Sequence, residues 1–269
     1  MAKGTSIAVF GAKGGTGKTI FTLNLAGAIA KLGKTCLIVD ADLYSGQIDC
    51  ALNKKTKKDI YNFADDYSNN RYKDFEDYVT VYNKNISFIG APTDPRRANK
   101  IEPKYLSIIL DKAIFKYDFV IFDMSHILNE VNVNILDMVD KILLMTTNDP
   151  LDLKNLKTVL SLFKDSNINK YKVIEPPFET YLREKNNSSE NKILKTNDIK
   201  NPTYSKEEEI TENRTEITDD KNLRNISLSL MENISYFLFQ SEEELEFFNK
   251  NKSSSSGSSG LCGYGLDLI

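Results

Sequence analysis

Up to residue 174 the chain alternates short, nearly continuous apolar runs with longer stretches in which apolar positions recur every three or four residues. The apolar runs predict strands at 6–10, 35–39, 86–89, 119–122, 141–145 and 171–174. The longer spacing predicts helices at 21–32, 103–115 and 151–164. In the last of these Leu153, Leu156, Val159, Leu160 and Phe163 make one apolar stripe, and Pro103 suits a first helical turn, where its missing N–H costs nothing. Strands that are apolar on both faces belong inside a parallel sheet covered by helices on each side. The expected fold is therefore α/β, a mostly parallel doubly wound sheet, with its strand-to-helix loops gathered by right-handed crossovers at the carboxyl edge.

The pattern stops after residue 174. Residues 175–225 are rich in Glu, Lys, Asn, Ser and Thr and too poor in apolar side chains to offset chain entropy, which predicts a disordered insertion. Residues 226–250 are expected to return to the same domain, with a strand at 234–238 and a short helix at 241–249. Ser241 is the expected N-cap of that helix, with Glu244 at the capping-box position. Residues 251–269 contain a serine/glycine run and read as a flexible tail.

Composition narrows the class. The chain has 269 residues, 41% hydrophobic and 27% charged, enough for one large α/β core. A net charge of −3 argues against a dominant non-specific nucleic-acid surface. No signal-peptide pattern and no bilayer-length apolar run is present. Cys36, Cys50 and Cys262 have no metal-ligand spacing, Cys36 reads as a small core residue, and a reduced, cytoplasmic setting fits.

Chemistry concentrates in Lys13-Gly14-Gly15-Thr16-Gly17-Lys18-Thr19, which lies between the first predicted strand and the first predicted helix. Strand, glycine-rich loop and helix in that order form a phosphate-binding P-loop. Backbone N–H groups of Gly14, Gly15, Thr16, Gly17, Lys18, Thr19 and Ile20 would surround phosphate oxygens, aided by the positive helix end. Lys18 would reach the terminal phosphates and the Thr19 hydroxyl would hold Mg²⁺. Ala12 stands where the plain motif has glycine, so a second lysine, Lys13, precedes the paired glycines instead. Two further strands end in carboxylates, Asp40 with Asp42, and Asp123. Alternate residues of an extended segment point the same way, so Asp40 and Asp42 can share one side of the crevice.

These segments together resemble the deviant Walker A ATPases of the ParA/MinD/NifH class. The resemblance implies ATP and Mg²⁺ as ligands and an ATP-dependent homodimer in which Lys13 reaches the partner's nucleotide. It implies that Asp40 and Asp123 hold the metal with Thr19, that Asp42 orients the attacking water, and that Lys13, Lys18 and Asp42 carry slow, dimer-dependent hydrolysis. Looser strings, Asp42-Leu43-Tyr44-Ser45-Gly46, Ala91-Pro92 and Asp123-Met124-Ser125-His126, look like the CpaE/TadZ branch that serves pilus assembly. That branch implies a positioning switch for pilus or secretion machinery, partnered by a secretion ATPase or scaffold protein, with peripheral and indirect membrane association. One departure stands out. The class usually has an adenine-reading asparagine after the strand at 171–174, where this chain has Glu175-Pro176-Pro177.

Two other functions remain in view at this point, a ParA-type DNA-partition ATPase and a nucleotide-binding module without turnover. Sequence-specific nucleic-acid binding is not expected. A NifH-type reductase lacks the cysteine pair that a cluster needs. His126, the sole histidine, reads as a loop residue and not a metal site. Lys54-Lys55-Thr56-Lys57-Lys58 reads as a solvated loop, and Arg96 and Arg97 as residues that can line a partner surface. The acidic stretch 242–248 differs from the basic amphipathic tails that bind membranes.

Overall fold

The computed structural model describes residues 2–175. Beyond Glu175, the expected insertion at 175–225, the returning elements at 226–250 and the tail at 251–269 lie outside the described residues.

Strands β1 (Thr5–Phe10), β2 (Cys36–Ala41), β3 (Thr80–Val81), β4 (Ile86–Ile89), β5 (Phe119–Met124), β6 (Lys141–Met145) and β7 (Tyr171–Ile174) form one sheet in the order β3-β4-β2-β5-β1-β6-β7. Every pairing is parallel except that of the two-residue β3 with β4. Between the strands run α1 (Lys18–Lys31), α2 (Ile48–Ala51), α3 (Ile60–Ser68), α4 (Pro103–Ala113), α5 (Glu130–Met138) and α6 (Pro150–Asp165), with 3₁₀ turns at Phe75–Asp77 and Pro95–Lys100.

The alternation of side chains sorts the strands into two cores. Ala8, Phe10, Leu37, Val39, Val120, Phe122, Ile142 and Leu144 pack with α3, α4, α5 and α6 on one face. Ile7, Val9, Ile38, Ile121 and Leu143 pack with Phe21, Leu25, Ala26 and Ile29 of α1 and with Ile48 on the other. Burying one such aliphatic or aromatic side chain stabilises the fold by about 1.5–3 kcal/mol, so a strand apolar on both faces is held from both sides. Cys36 is fully buried, as expected of a core residue, and burial pushes its thiol up.

The sequence-based helices need correction at two places, one a boundary and one a buried stripe. The helix expected from residue 21 begins at Lys18, because its first turn is built from the polar end of the glycine loop, which carries no apolar periodicity. In α6 the stripe is narrower than expected. Val159 and Phe163 are buried and Leu156 and Leu160 partly so, but Leu153 is exposed, because at this end of α6 the inward position is taken by the polar Asp152. Helices α2, α3 and α5 were not expected from the pattern. Both α3 and α5 start at side-chain caps: Asp59 accepts from Asn62 N–H in a capping box, and Asn129 accepts from Asn132 N–H.

An aromatic cluster closes the β4 flank. Phe63 of α3 is fully buried and meets Tyr78 edge-on at 5.1 Å between centroids, Tyr72 edge-on at 5.7 Å and Tyr67 stacked at 5.7 Å. Each such pair adds roughly 0.5–1.5 kcal/mol beyond area burial. Asp66 anchors the cluster by accepting from Tyr78 Oη at 2.8 Å and Lys58 Nζ at 2.9 Å and from Arg71 Nε at 3.1 Å. Led by the Lys58 bond, these donors hold its carboxyl down to about 2.

Candidate functional site

The carboxyl edge brings the sequence-predicted residues together. In the β2–β5 ladder Asp40 stands directly beside Asp123, and both point to the α1 face, since Ile38 and Ile121 two residues earlier do so. Helix α1 begins on that face under β1, so Lys18, Thr19 and Thr22 lie opposite the two carboxylates. Thr22 Oγ1 donates to Asp123 Oδ1 at 3.2 Å, and Thr19 also hydrogen-bonds Asp123.

The loop between β1 and α1 takes the shape a phosphate cradle needs. Gly15 and Gly17 adopt φ of 76° and 80°, the left-handed region that a side chain resists. Gly17 is the N-cap of α1, with no side-chain cap and no acidic residue in the first turn, so the leading N–H groups of Lys18, Thr19 and Ile20 remain without carboxylate or hydroxyl competitors there. Ile20 is itself exposed, so its part in the cradle is confined to its backbone. Lys18 is buried and donates from Nζ to the Lys13 carbonyl at 3.3 Å. Burial lowers its ammonium pKa, while Asp123, Asp42 and Asp152 oppose that shift. Thr16 Oγ1 lies 3.5 Å from the same carbonyl.

The acids differ from one another. Asp40 is buried and accepts from Ile48 N–H at 3.1 Å through Oδ2, while its Oδ1 is buried with no partner. Desolvation first, then repulsion from Asp123, raises its pKa well above the ordinary range. Asp123 is buried too, and desolvation pushes it up to about 6 against the pull of Thr19, Thr22 and Lys18. Asp42 lies past the end of β2, half-buried, and its Oδ1 accepts from Ser45 N–H at 3.3 Å. Gly46 closes this loop: a Cβ there would stand 2.3 Å from Ala91 Cβ and 2.6 Å from Asp40 Oδ2. Any side chain at that position would displace the buried carboxylate.

A divalent cation fits this chemistry. An orphaned buried carboxylate oxygen on Asp40, a second buried carboxylate on Asp123 and the Thr19 hydroxyl are hard oxygen donors. Among the described residues no three His, Cys, Asp or Glu side chains cluster closely enough to encase a metal. Mg²⁺ keeps several waters and is completed by substrate phosphates, so it asks for few protein donors.

Lys13 sits on the rim of the loop. Its Nζ is 3.2 Å from Asp149 Oδ2, both groups being part-exposed, and Asp149 also N-caps α6 by accepting from Leu151 and Asp152 N–H. Four residues were missed from sequence: Thr22, Gly46, Asp149 and Asp152. Asp152 is fully buried in α6 and accepts from Thr147 N–H at 2.6 Å and Thr147 Oγ1 at 2.9 Å, tying down the loop after β6. His126 lies closer to the loop than expected, with ring atoms 3.7 Å from where a Gly14 Cβ would be.

Sheet order, two-sided helix cover and the in-register acids facing the glycine loop define a P-loop protein with the MinD/ParA fold. A ParA family ATPase from Chlorobium tepidum superposes with TM-score 0.58 at 24% identity, covering 65% of this chain and 74% of that one. The septum site-determining protein MinD of Pyrococcus horikoshii, complexed with Mg-ADP, does so with TM-score 0.54 at 23% identity, covering 63% and 67%. By sequence, the septum site-determining protein MinD of Thermotoga maritima is 28% identical over 203 residues, 73% of this chain and 71% of that protein. The profile of the AAA domain family matches residues 4–174, and the chain belongs to that family. It is a ParA/MinD-type P-loop ATPase by family and fold. No helix among the described residues is long and apolar enough to cross a membrane.

Proposed function

We propose that this protein is a dimerising ATPase that acts as a nucleotide-dependent positioning or assembly switch. The observation that carries the reading is the pairing of Asp40 with Asp123 on one rung of adjacent strands, facing Lys18 and Thr19 across the mouth of the glycine loop. Two buried carboxylates and one buried ammonium are costly unless a charged ligand completes them. A nucleoside triphosphate with its metal does so. Lys18 and the backbone N–H groups of residues 14–20 neutralise phosphate oxygens. Thr19, Asp40 and Asp123 would hold Mg²⁺, directly or through its waters, and the bound metal would withdraw charge from the phosphates. Asp42, at the outer lip, orients water towards the γ-phosphorus and accepts a hydrogen bond from it.

Lys13 gives the dimer its trigger. Its ammonium is free to exchange the exposed Asp149 carboxylate for a phosphate oxygen of a second copy, because an exposed ion pair contributes only about 0–1 kcal/mol. The magnesium-ADP complex of the Pyrococcus MinD supports the choice of ligand. The strings at residues 42–46, 91–92 and 123–126 support service to pilus or secretion machinery, through a secretion ATPase or scaffold partner at the inner face of the membrane.

The test is sedimentation of the full chain with a non-hydrolysable ATP analogue and Mg²⁺, beside Lys13→Ala. The intact chain should dimerise, and Lys13→Ala should bind analogue and stay monomeric. A monomer at saturating analogue would end the switch reading, and a Lys13→Ala dimer would remove Lys13 from the interface.

A further inference from the structure

The 3₁₀ turn Pro95–Lys100 has no part in the chemistry above, yet it is wired to the switch loop. The Tyr44 hydroxyl, two residues past Asp42, hydrogen-bonds Asn99 Oδ1 in the turn. Immediately before the turn, Ala91 abuts Gly46, which in turn abuts the Asp40 carboxylate. The same segment is pinned to the start of α3, where Asp59 Oδ2 accepts from Thr93 N–H at 3.1 Å and Ile60 N–H donates to the Gly90 carbonyl at 3.0 Å. Movement of Asp40 or Asp42 therefore reaches this turn through direct contacts.

The outer surface of the turn is cationic and aromatic. The Arg97 guanidinium lies 4.8 Å from the Tyr61 ring centroid and Lys100 Nζ lies 6.0 Å from the same ring. Arg97 and Lys100 are exposed, and among the described residues neither makes a close ion pair, Arg97 feeling Asp94 only at longer range, whereas Arg96 is taken up by Asp94. The loop bearing Lys55 and Lys57, both exposed, leads straight into α3 beside them. Tyr44 is exposed at the other side of the turn.

From these contacts we propose that Arg97 and Lys100, seated on Tyr61, form a docking surface for a carboxylate-rich segment of a partner protein, and that the nucleotide state controls it through Tyr44. The control element rests on the nucleotide-switch reading above; the surface does not. A guanidinium held over a ring keeps the N–H groups at its edge available, and their fork matches the two oxygens of a carboxylate. Both cations sit over the single ring of Tyr61, Asp94 and Glu102 flank the turn on either side, and the whole chain is net negative. A short acidic peptide avoids those flanking acids, while an extended polyanion would run across them.

The experiment uses the full chain and a fluorescein-labelled oligoglutamate peptide with one central tyrosine, read by anisotropy with and without a non-hydrolysable ATP analogue and Mg²⁺. Fluorescent-nucleotide binding is measured on every variant. Arg97→Glu/Lys100→Glu should lose about tenfold or more of peptide affinity with nucleotide binding unchanged. The analogue should tighten peptide binding by at least about fivefold, because ordering the Asp42–Tyr44 loop removes part of the ordering cost at the turn. Tyr44→Phe, lacking the bond to Asn99, should bind peptide but lose that gain. Peptide affinity within twofold after charge reversal would overturn the surface. A gain that survives Tyr44→Phe, or no gain in protein shown to hold the analogue, would overturn the coupling. Stronger capture of single-stranded oligothymidylate or phosphatidylserine vesicles through the same two residues would overturn the acidic-peptide assignment. Failure of the fluorescent nucleotide to bind would overturn the nucleotide reading and the coupling together, while the charge-reversal result, read without nucleotide, still decides the surface.

Discussion

The aromatic flank beside α3 and the glycine-loop edge treat charge in opposite ways. In α3 the Asp66 carboxylate has its complement: it receives Lys58, Arg71 and Tyr78, and is held down to about 2. At the glycine loop Asp40 keeps an unpartnered oxygen, Asp123 is pushed up to about 6, and the Lys18 ammonium is pulled down by burial. The first arrangement lowers the energy of the chain as it stands. The second leaves a demand for charge that the chain alone does not meet. Stability is concentrated at the aromatic flank and binding energy at the sheet edge, and mutations should separate the two.

The largest effect is expected at the flank. Phe63→Ala removes a fully buried ring from four aromatic neighbours and should cost about 3–5 kcal/mol of unfolding free energy in urea titration. Nucleotide affinity of the folded fraction should be unchanged; a specific loss of affinity would erase the division between the regions. Next, Lys18→Ala should weaken ATP·Mg²⁺ binding by roughly a hundredfold in calorimetry, since a buried charge-assisted contact is lost. Equal affinity would take Lys18 out of the site. Asp42→Ala should keep ATP affinity and dimer formation yet lose about two orders of magnitude in single-turnover hydrolysis, as expected of a group acting mainly in the transition state. An unchanged rate would make Asp42 structural.

Asp123→Asn sharpens the comparison from the other side. A carboxyl raised to about 6 when folded binds its proton more tightly than in the unfolded chain. Its contribution to stability therefore falls as pH rises from about 4 to about 6. The nucleotide-free Asn variant should be more stable than the parent at pH 7 by on the order of 2 kcal/mol, with the gain vanishing below about pH 4. Thermal melts across that range would show it, and a destabilised variant at pH 7 would refute the account of the buried acids. The smallest effect is Tyr78→Phe, which removes the hydrogen bond to Asp66 and should cost about 1 kcal/mol. Asp66 runs with the reverse sign: its contribution is present above about pH 4 and is lost as pH falls through about 2.

The glycine loop and the three strand-end aspartates could be read from sequence because each is a local string: an apolar run followed by a polar residue of fixed type. Six of the seven strands follow from the same apolar continuity, and only the two-residue β3 is too short to leave a period. Helices α3 and α5 escaped because their starts are marked by Asp59-Ile60-Tyr61-Asn62 and by Asn129, caps without the Glu or Gln that makes the usual signature. Thr22 and Asp152 escaped for different reasons. The partner of Thr22, Asp123, comes from a distant strand, and no spacing within one segment encodes that meeting; Asp152 is met by Thr147 only five residues earlier, but its turn inward into the loop after β6 leaves no apolar period. The tie between Tyr44 and Asn99 likewise spans two loops that only the sheet brings together.

The placement of Asp40 beside Asp123 carries one more consequence. A misfolded chain in which either strand slid by a single residue would turn one acid to the opposite side of the sheet and leave no joint site for the ligand. Nucleotide can then reward only chains assembled correctly, adding RT ln(1 + [L]/Kd) to those and nothing to the rest. In a cell rich in the ligand, the cofactor would act as an inspector of newly made protein, and depletion of nucleotide would expose the pool to unfolding and proteolysis before any question of turnover arose.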